Sequence, residues 1–230
     1  MVLVFDLDDT LYDEASYVRG GFEAVARYAL HRWELDYERS LDELTHILLT
    51  RGRGRVFNLF LARHNLHSQH AVVSCVNAYR NHEPSISLFP EAERALSVVS
   101  ASSRLYLVTD GHKLVQEKKV RALGLFERFD GVFITHRFGR SAAKPATICF
   151  EKIRMREKCD WTDLVHIADN PAKDFVGLNP LGAVTVRVLT GTHRSVVARD
   201  GYDAQHTIQN LDALPEIVTS LELEGHSVLR

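Results

Sequence analysis

Residues 1–12 read MVLVFDLDDTLY, and this stretch decides the fold class of the chain. The apolar run Val2–Phe5 predicts a buried strand that ends at a series of carboxylates. Side chains two positions apart on an extended chain face the same way, so Asp6 and Asp8 are expected to project together beyond the strand. Two converging carboxylates repel each other unless a cation or a shared proton intervenes. A helix cap or an acidic loop is the alternative interpretation, and Asp9 is expected to be a turn residue.

Further short apolar runs predict strands, and helix-like stretches lie between the later ones. The predicted strands are Leu105–Val108, Gly131–Ile134, Leu164–Ile167 and Ala183–Val188. The predicted helices are His112–Leu123 and Pro145–Arg156, the second with its proline in the first turn. Strands that alternate with helices indicate an α/β fold with a Rossmann-like parallel sheet core. From Thr207 onward, apolar residues at helical spacing predict a terminal packing helix.

The interval between the first two predicted strands is far too long for a single crossover. Apolar residues recur there at helical spacing, for example Phe22, Val25 and Ala29. This pattern predicts a unit of four or five helices over residues 13–87. We therefore expect a catalytic core formed by residues 1–12 and 88–230, with an inserted all-helical cap domain over residues 13–87.

The composition is that of a soluble globular protein, with 45% hydrophobic and 25% charged residues in a chain of 230. The chain has 28 Lys and Arg against 30 Asp and Glu, a net charge of -2 that disfavours nucleic acid or a membrane as the main partner. Three cysteines without CxxC spacing predict incidental thiols in a reducing compartment. With no apolar run near the roughly 18 residues of a membrane span and no secretion signal at the amino terminus, the expected location is cytoplasmic. The oligomeric state is not indicated.

Three more polar elements follow predicted strands, where open α/β sheets bind their ligands. Residues 109–111, Thr-Asp-Gly, offer a hydroxyl and backbone amides to an anion. Lys144 precedes a predicted helix, so its ammonium and the helix amino terminus are expected to present positive potential at one place. Asp169 and Asn170 end a predicted strand, and Asp174 follows closely. Taken singly, the first element is more typical of a turn and Lys144 of a solvated charge.

Together these residues provide the groups that a phosphoryl-transfer reaction requires. Mg2+ prefers oxygen ligands and takes few of them from protein, and Asp6 and Asp169 supply two. A lysine and backbone amides bind phosphoryl oxygens, while a carboxylate attacks phosphorus to form an aspartyl phosphate. A second carboxylate protonates the leaving oxygen and later deprotonates water.

In four ordered segments the chain resembles the haloacid dehalogenase superfamily, in the branch that has a helical cap inserted after the first motif. The matching segments are FDLDDTLY at 5–12, LVTDG at 107–111, AKP at 143–145 and IADNPAKD at 167–174. One departure is Ala168, which stands where the family usually has glycine. A methyl group at this position concerns the local backbone and not the chemistry.

The resemblance implies that Asp6 is the nucleophile and Asp8 the general acid and base. Dehalogenases as a group do not keep the second aspartate, so Asp8 favours phosphoryl transfer over the reaction that named the superfamily. The resemblance also implies a set of surrounding residues: the phosphate-binding Thr109, Asp110 and Lys144, the Mg2+ ligands Asp6, Asp8 (through its backbone carbonyl) and Asp169, and the supporting Asn170 and Asp174.

The predicted cap contains no Asp or Glu from Leu44 to His82, and its arginines include Arg51, Arg53 and Arg55 in a stretch expected to be a loop. In related capped enzymes that loop selects the substrate, and arginine suits carboxylate or phosphate groups. Two interpretations stay open: the arginines bind a second anionic group of the substrate, or they solubilise the cap and pair with acids of the core.

Three histidines of the predicted cap, His64, His67 and His70, recur every three residues and invite a zinc interpretation. Each step of three slips by about 60° on a helix, which disfavours a common ligand set. A polar face of the cap is the preferred interpretation.

The sequence thus predicts a Mg2+-dependent phosphomonoester hydrolase that acts through an aspartyl phosphate. The expected partner is a small phosphomonoester, either a sugar phosphate or a nucleoside monophosphate. A phosphomutase that uses the same aspartates is the alternative. A non-catalytic binding protein is disfavoured because Asp6, Asp8 and Lys144 are all present.

Overall fold

Strand β1, Val2–Phe5, lies inside a six-stranded sheet and is buried along its whole length. The computed structural model describes residues 1–227, and the side chains of residues 1–223. The other strands are β2 (Arg104–Thr109), β3 (Gly131–Ile134), β4 (Leu164–Ala168), β5 (Val184–Val188) and β6 (His206–Ile208). The spatial order is β3-β2-β1-β4-β5-β6, and every neighbouring pair is parallel. The predicted α/β fold with a parallel sheet is confirmed.

The chain divides into two compact units, Met1–Glu14 together with the residues from Ser87 onward, and Ala15–Ile86. The first unit holds the sheet and four helices, and the second is helical. The helices are α1 (Glu14–Trp33), α2 (Tyr37–Arg51), α3 (Val56–Arg63), α4 (Gln69–Asn81), α5 (Pro90–Val99), α6 (Lys113–Ala122), α7 (Ile148–Glu157) and α8 (Leu214–Ser227). The assignment of residues 13–87 as a cap domain stays a prediction.

The helical unit has its own hydrophobic core, contributed by all four of its helices. Side-chain caps fix the start of two helices. The Asp36 carboxylate accepts a hydrogen bond from the backbone N–H of Arg39 in the first turn of α2. The Ser68 hydroxyl oxygen accepts one from the backbone N–H of Ala71 in the first turn of α4. The core residues are Val18, Phe22, Val25, Ala29, Leu44, Ile47, Val56, Phe60, Leu61, Ala71 and Cys75. Helix α4 contributes small side chains, Ala71 and Cys75, to this core.

Local elements of the first unit differ from expectation at short or proline-containing segments. Helix α7 begins at Ile148, and Pro145 lies outside it, after a cis Lys144–Pro145 peptide bond. The prediction of Pro145 in the first helical turn was therefore wrong, because the fixed φ of proline suits several conformations besides a helix start. Strand β6 has three residues with a single buried one, too short to show a period. The terminal helix begins only at Leu214.

The register of the sheet brings three strand ends together. Phe5 of β1 pairs with Leu107 of β2 and with Ile167 of β4. The N–H of Asp6 continues this ladder by donating to the carbonyl oxygen of Ile167 at 2.9 Å. The residues that follow β1, β2 and β4 therefore meet at one edge of the sheet, where ligands bind in open α/β folds.

Two expectations about the chain as a whole concern its cysteines and membrane spans. Cys75, Cys149 and Cys159 are free thiols. Among the described residues, no helix combines the length and the apolar character that crossing a membrane requires.

Candidate active site

A buried ion-pair network lies just beyond the end of β1. The ammonium of Lys144 is 2.5 Å from Asp6 Oδ1 and 2.7 Å from Asp174 Oδ1, and all three side chains are almost fully buried. Burial alone would lower the pKa of Lys144, but the charges of Asp174 and Asp6 outweigh it and raise the pKa, so the ammonium is retained. Lys144 was expected to lie beside a helix amino terminus, but α7 begins four residues later. Its neighbours are the two carboxylates instead.

Three carboxylates converge around this lysine. Asp6, Asp169 and Asp174 each offer an oxygen within 4.8 Å of the others, and all three residues are buried. Burial, followed by the charges of Asp6 and Asp174, raises the pKa of Asp169 to about 9. Burial also raises the pKa of Asp6 despite the neighbouring Lys144. For Asp174 burial is outweighed by Lys144, and its pKa is lowered.

The donor set of this cluster fits a hard divalent cation. Asp169 Oδ2 is buried and has no hydrogen-bond partner, an arrangement that is costly without a ligand. Asp169 Oδ1 receives only a long contact of 3.5 Å from the hydroxyl of Thr10. Carboxylate oxygens with unused lone pairs are the ligands that Mg2+ prefers. Asp6 and Asp169 are therefore suited to hold Mg2+, while Asp174 already accepts the N–H of Asn170 at 3.1 Å and pairs with Lys144.

The carboxylate of Asp8 is held by three donors on the same unit. Its Oδ1 accepts from the Tyr12 hydroxyl and from the Lys119 ammonium, both at 2.6 Å. Its Oδ2 accepts from the Gln116 amide at 2.8 Å. Burial would raise the pKa of Asp8, but Lys119 and these hydrogen bonds outweigh it and lower the pKa. In this conformation Asp8 is a carboxylate.

Thr109 and Asp110, which end β2 and follow it, have different surroundings. The buried Thr109 hydroxyl oxygen accepts from the Gln116 amide at 2.6 Å. The Asp110 carboxylate accepts from the Thr135 hydroxyl at 2.9 Å, from the Lys144 backbone N–H at 3.1 Å and from the Lys173 ammonium at 3.0 Å. The Asp110 side chain thus holds the segment that carries Lys144, and its expected contact with phosphate stays a prediction.

Asp9 lies in a turn, as expected, and it also joins two loops. Its φ is 57°, and its Oδ2 accepts the backbone N–H and the hydroxyl of Thr192 at 3.0 and 2.8 Å. Its carbonyl oxygen accepts from the Thr190 hydroxyl at 2.5 Å. The loop after β1 and the loop after β5 are therefore held together at the same edge of the sheet.

The residues expected to select substrate belong to the helical unit. Arg51 is the last residue of α2, and Arg53–Arg55 form one 3-10 turn, so the expected loop is largely helical. All three arginines are exposed. Their relation to substrate stays a prediction.

Two histidines of the series in the helical unit have separate polar partners. His64 contacts Glu43 Oε2 at 2.8 Å, and His67 contacts Asn58 at 3.3 Å. The series spans the end of α3 and the start of α4, and the three ring systems do not converge within the described part of the chain.

Sequence reasoning missed Gln116 and Lys119, although the pattern of α6 contained a signal. Val120 and Leu123 are apolar, and residues four positions before them lie on the same helix face. Gln116 and Lys119 occupy those positions and are buried. The signal is therefore a polar pair on the face of α6 that its apolar residues predict to be buried.

Comparison with known proteins places the chain in a family. A family model described as haloacid dehalogenase-like hydrolase matches residues 1–182. A curated relative from Methanocaldococcus jannaschii, named glyceraldehyde 3-phosphate phosphatase, is 27% identical over 226 residues, which are 96% of this chain and 97% of the relative.

Two solved structures share the fold. A haloacid dehalogenase-superfamily hydrolase from Geobacter sulfurreducens has a TM-score of 0.70 at 15% identity, with 94% of this chain and 95% of that chain covered. A 2-haloacid dehalogenase from Pseudomonas syringae has a TM-score of 0.64 at 24% identity, with 96% and 99% covered. The family match and the curated relative together lead to one conclusion: the chain belongs to the haloacid dehalogenase-like hydrolases and is a phosphatase of that family.

Proposed function

We propose that the protein is a Mg2+-dependent phosphomonoesterase that hydrolyses a small sugar phosphate through an aspartyl phosphate on Asp6. The observation that carries this proposal is the buried cluster of Asp6, Asp169 and Asp174 around Lys144 at the carboxyl end of β1. The pKa values of Asp6 and Asp169 are raised because the buried carboxyl groups lie so close together, and a bound divalent cation would favour their ionised forms.

The residues that would hold Mg2+ are Asp6, Asp169 and the backbone carbonyl of Asp8. When bound there, the ion supplies positive charge that offsets the repulsion between the carboxylates and a phosphoryl dianion. Lys144 adds a fixed ammonium beside the nucleophile, and Thr109 adds a hydroxyl donor for a phosphoryl oxygen. These groups are in place before substrate binds, so little reorganisation is required during the reaction.

In the first half-reaction an oxygen of Asp6 attacks phosphorus, and the bond between phosphorus and the ester oxygen breaks. The leaving oxygen takes a proton from the Asp8 carboxyl group, so the alcohol departs neutral. A phosphoryl dianion beside Asp8 adds like charge, which favours the protonated carboxyl that this step requires.

In the second half-reaction a water molecule attacks the phosphorus of the aspartyl phosphate. Asp8, now a carboxylate, takes a proton from this water, and the bond between phosphorus and Asp6 breaks. Inorganic phosphate leaves, and both carboxyl groups return to their starting protonation states. The same Asp8 carboxyl group thus acts as acid in the first half-reaction and as base in the second.

For the substrate, a sugar phosphate is favoured over a nucleoside monophosphate. Support comes from the relative covering nearly the whole chain, whose name refers to a triose phosphate. We therefore take glyceraldehyde 3-phosphate as the first substrate to test.

The test is phosphate release from glyceraldehyde 3-phosphate, glucose 6-phosphate and adenosine monophosphate, each with Mg2+ and with EDTA. We expect release only with Mg2+, and Asp6→Asn to lower it by about a thousandfold or more because the nucleophile is lost. Asp200→Asn is the matched control, since Asp200 is exposed and lies outside the cluster. Full activity of Asp6→Asn would contradict the mechanism. An isomerised ester without free phosphate would show a phosphomutase instead.

A further inference from the structure

Both oxygens of the Asp8 carboxylate are engaged by neutral or cationic donors that motif reasoning does not assign. Lys119 and Tyr12 donate to Oδ1, and Gln116 donates to Oδ2. Each contact is between 2.6 and 2.8 Å, the range of strong hydrogen bonds to a charged acceptor. The torsions of the Asp8 side chain are thereby restrained from two directions.

Lys119 is unusual because its side chain is only 3% exposed. A buried ammonium is costly unless it is paired, and its partners here are Asp8 at 2.6 Å and Glu14 at 3.5 Å. The Asp8 side chain keeps 22% exposure, so it stays partly accessible although it is paired with Lys119. This arrangement suits a group that must be held still and yet reach a substrate.

Gln116 links Asp8 to the candidate phosphate-binding residue Thr109. Its amide nitrogen donates to Asp8 Oδ2 at 2.8 Å and to Thr109 Oγ1 at 2.6 Å, so both of its hydrogens are used. Because Thr109 Oγ1 accepts this bond, its own hydrogen is available for another acceptor. Gln116 and Lys119 are one turn apart on α6, so one helix face sets both contacts.

We propose that Lys119, Gln116 and Tyr12 are positioning residues that hold the Asp8 carboxyl group in one orientation for both proton transfers. The inference rests on the proposed function, in which Asp8 gives a proton to the leaving oxygen and later takes one from water. Displacement of a proton donor by about 1 Å is enough to lower a rate by about a hundredfold.

The test uses the dependence of the rate on the leaving group. An alkoxide is a strongly basic leaving group and needs a proton from Asp8, whereas p-nitrophenolate leaves without one. We therefore compare kcat/KM for glyceraldehyde 3-phosphate and p-nitrophenyl phosphate. Because kcat/KM reports the steps up to the first irreversible one, it follows the step in which the ester bond breaks.

We expect Lys119→Met to lower kcat/KM for glyceraldehyde 3-phosphate at least about tenfold more than for p-nitrophenyl phosphate, a part of the whole contribution of a general acid. The test value is the ratio of kcat/KM for glyceraldehyde 3-phosphate to kcat/KM for p-nitrophenyl phosphate. Tyr12→Phe, which removes a single hydroxyl, is also expected to lower this ratio. The ratio of the two values cancels the amount of folded enzyme, so partial unfolding of a variant does not imitate the effect.

Lys113→Met is the matched control, because Lys113 is exposed on the same helix, and its ratio is expected to equal that of the wild type. If Lys119→Met and Tyr12→Phe both have a ratio equal to or above that of the wild type, the inference is overturned and the proposed function stays intact. The proposed function itself fails, and the inference with it, if hydrolysis of glyceraldehyde 3-phosphate by the wild type is absent or survives Asp6→Asn.

Discussion

At the scale of single residues, Lys144 holds like charges together at the candidate site. Its ammonium contacts Asp6 and Asp174, whose carboxylates lie close to that of Asp169 in buried surroundings. Removing one partner of a buried ion pair leaves an uncompensated charge, which costs far more than the pair itself contributes. Lys144 therefore supports the stability of this edge of the sheet as well as its chemistry.

We expect Lys144→Met, measured in EDTA, to lower the free energy of unfolding by about 3–5 kcal/mol. The reason is that the buried carboxyl groups of Asp6 and Asp174 lose the ammonium that pairs with both of them. Urea denaturation followed by circular dichroism measures the change, with Lys113→Met as an exposed control. The double variant Lys144→Met with Asp174→Asn removes one of the repelling charges and should be less destabilised. Equal stabilities for Lys144→Met and the wild type would refute this explanation.

Most of the candidate site was predictable at this scale, since Asp6, Thr109, Lys144 and Asp169 each follow or adjoin a predicted strand or helix and the structure brings them to one edge. The contacts of Asp8 were not predictable in the same way. Lys119 looks like any helical lysine until the helix face that it occupies is known to be buried. Burial depends on how α6 packs within the sheet-bearing unit and not on neighbours in the chain.

At the scale of elements, hydrogen bonds hold the loop after β1 against the loop after β5. Gly191 has a φ of +59°, and a Cβ atom there would overlap the side chain of Asp9. The close approach lets Thr190 and Thr192, on either side of Gly191, bond to Asp9. Asp9 is itself in the left-handed region, which a short polar side chain tolerates when it bonds locally.

We expect Gly191→Ala to be destabilising for two reasons, the left-handed backbone and the overlap with Asp9. Gly201→Ala is the matched control, because Gly201 has a φ of +77° and nothing lies within 4 Å of the added Cβ. The control should cost only about 1–2 kcal/mol, the price of a left-handed conformation for a residue with a side chain. Overpacking at Gly191 should add about 1–3 kcal/mol to that value in thermal or urea unfolding. If Gly191→Ala and Gly201→Ala lower the free energy of unfolding equally, the close contact between the two loops does not contribute to stability.

At the scale of the whole molecule, the chain consists of two compact units with separate hydrophobic cores. The candidate active-site residues Asp6, Lys144 and Asp169 belong to the sheet-bearing unit. The helical unit contributes exposed arginines, and our hypothesis is that Arg53 and Arg55 recognise a second anionic group of the substrate. Glyceraldehyde 3-phosphate and 3-phosphoglycerate offer a suitable comparison, because they differ in an aldehyde against a carboxylate.

We expect Arg53→Ala combined with Arg55→Ala to raise KM for 3-phosphoglycerate by about tenfold, the loss of one charge-assisted contact, and to leave KM for glyceraldehyde 3-phosphate nearly unchanged. Steady-state kinetics with both substrates measures the difference. Arg32→Ala combined with Arg39→Ala is the control, since both residues are exposed elsewhere on the helical unit. If both substrates respond alike, the arginines only keep the unit soluble.

The sequence by itself determined the parallel sheet, the helical insert and the order of the motif residues, because strand and helix periodicities and motif spacing are properties of neighbours along the chain. Only the tertiary structure decided which side chains meet. Lys144 and Asp6 are 138 positions apart, and Asp9 and Thr192 are 183 apart. Contacts at such separations depend on the register of non-adjacent strands and on which helix face is buried, and no local pattern encodes either.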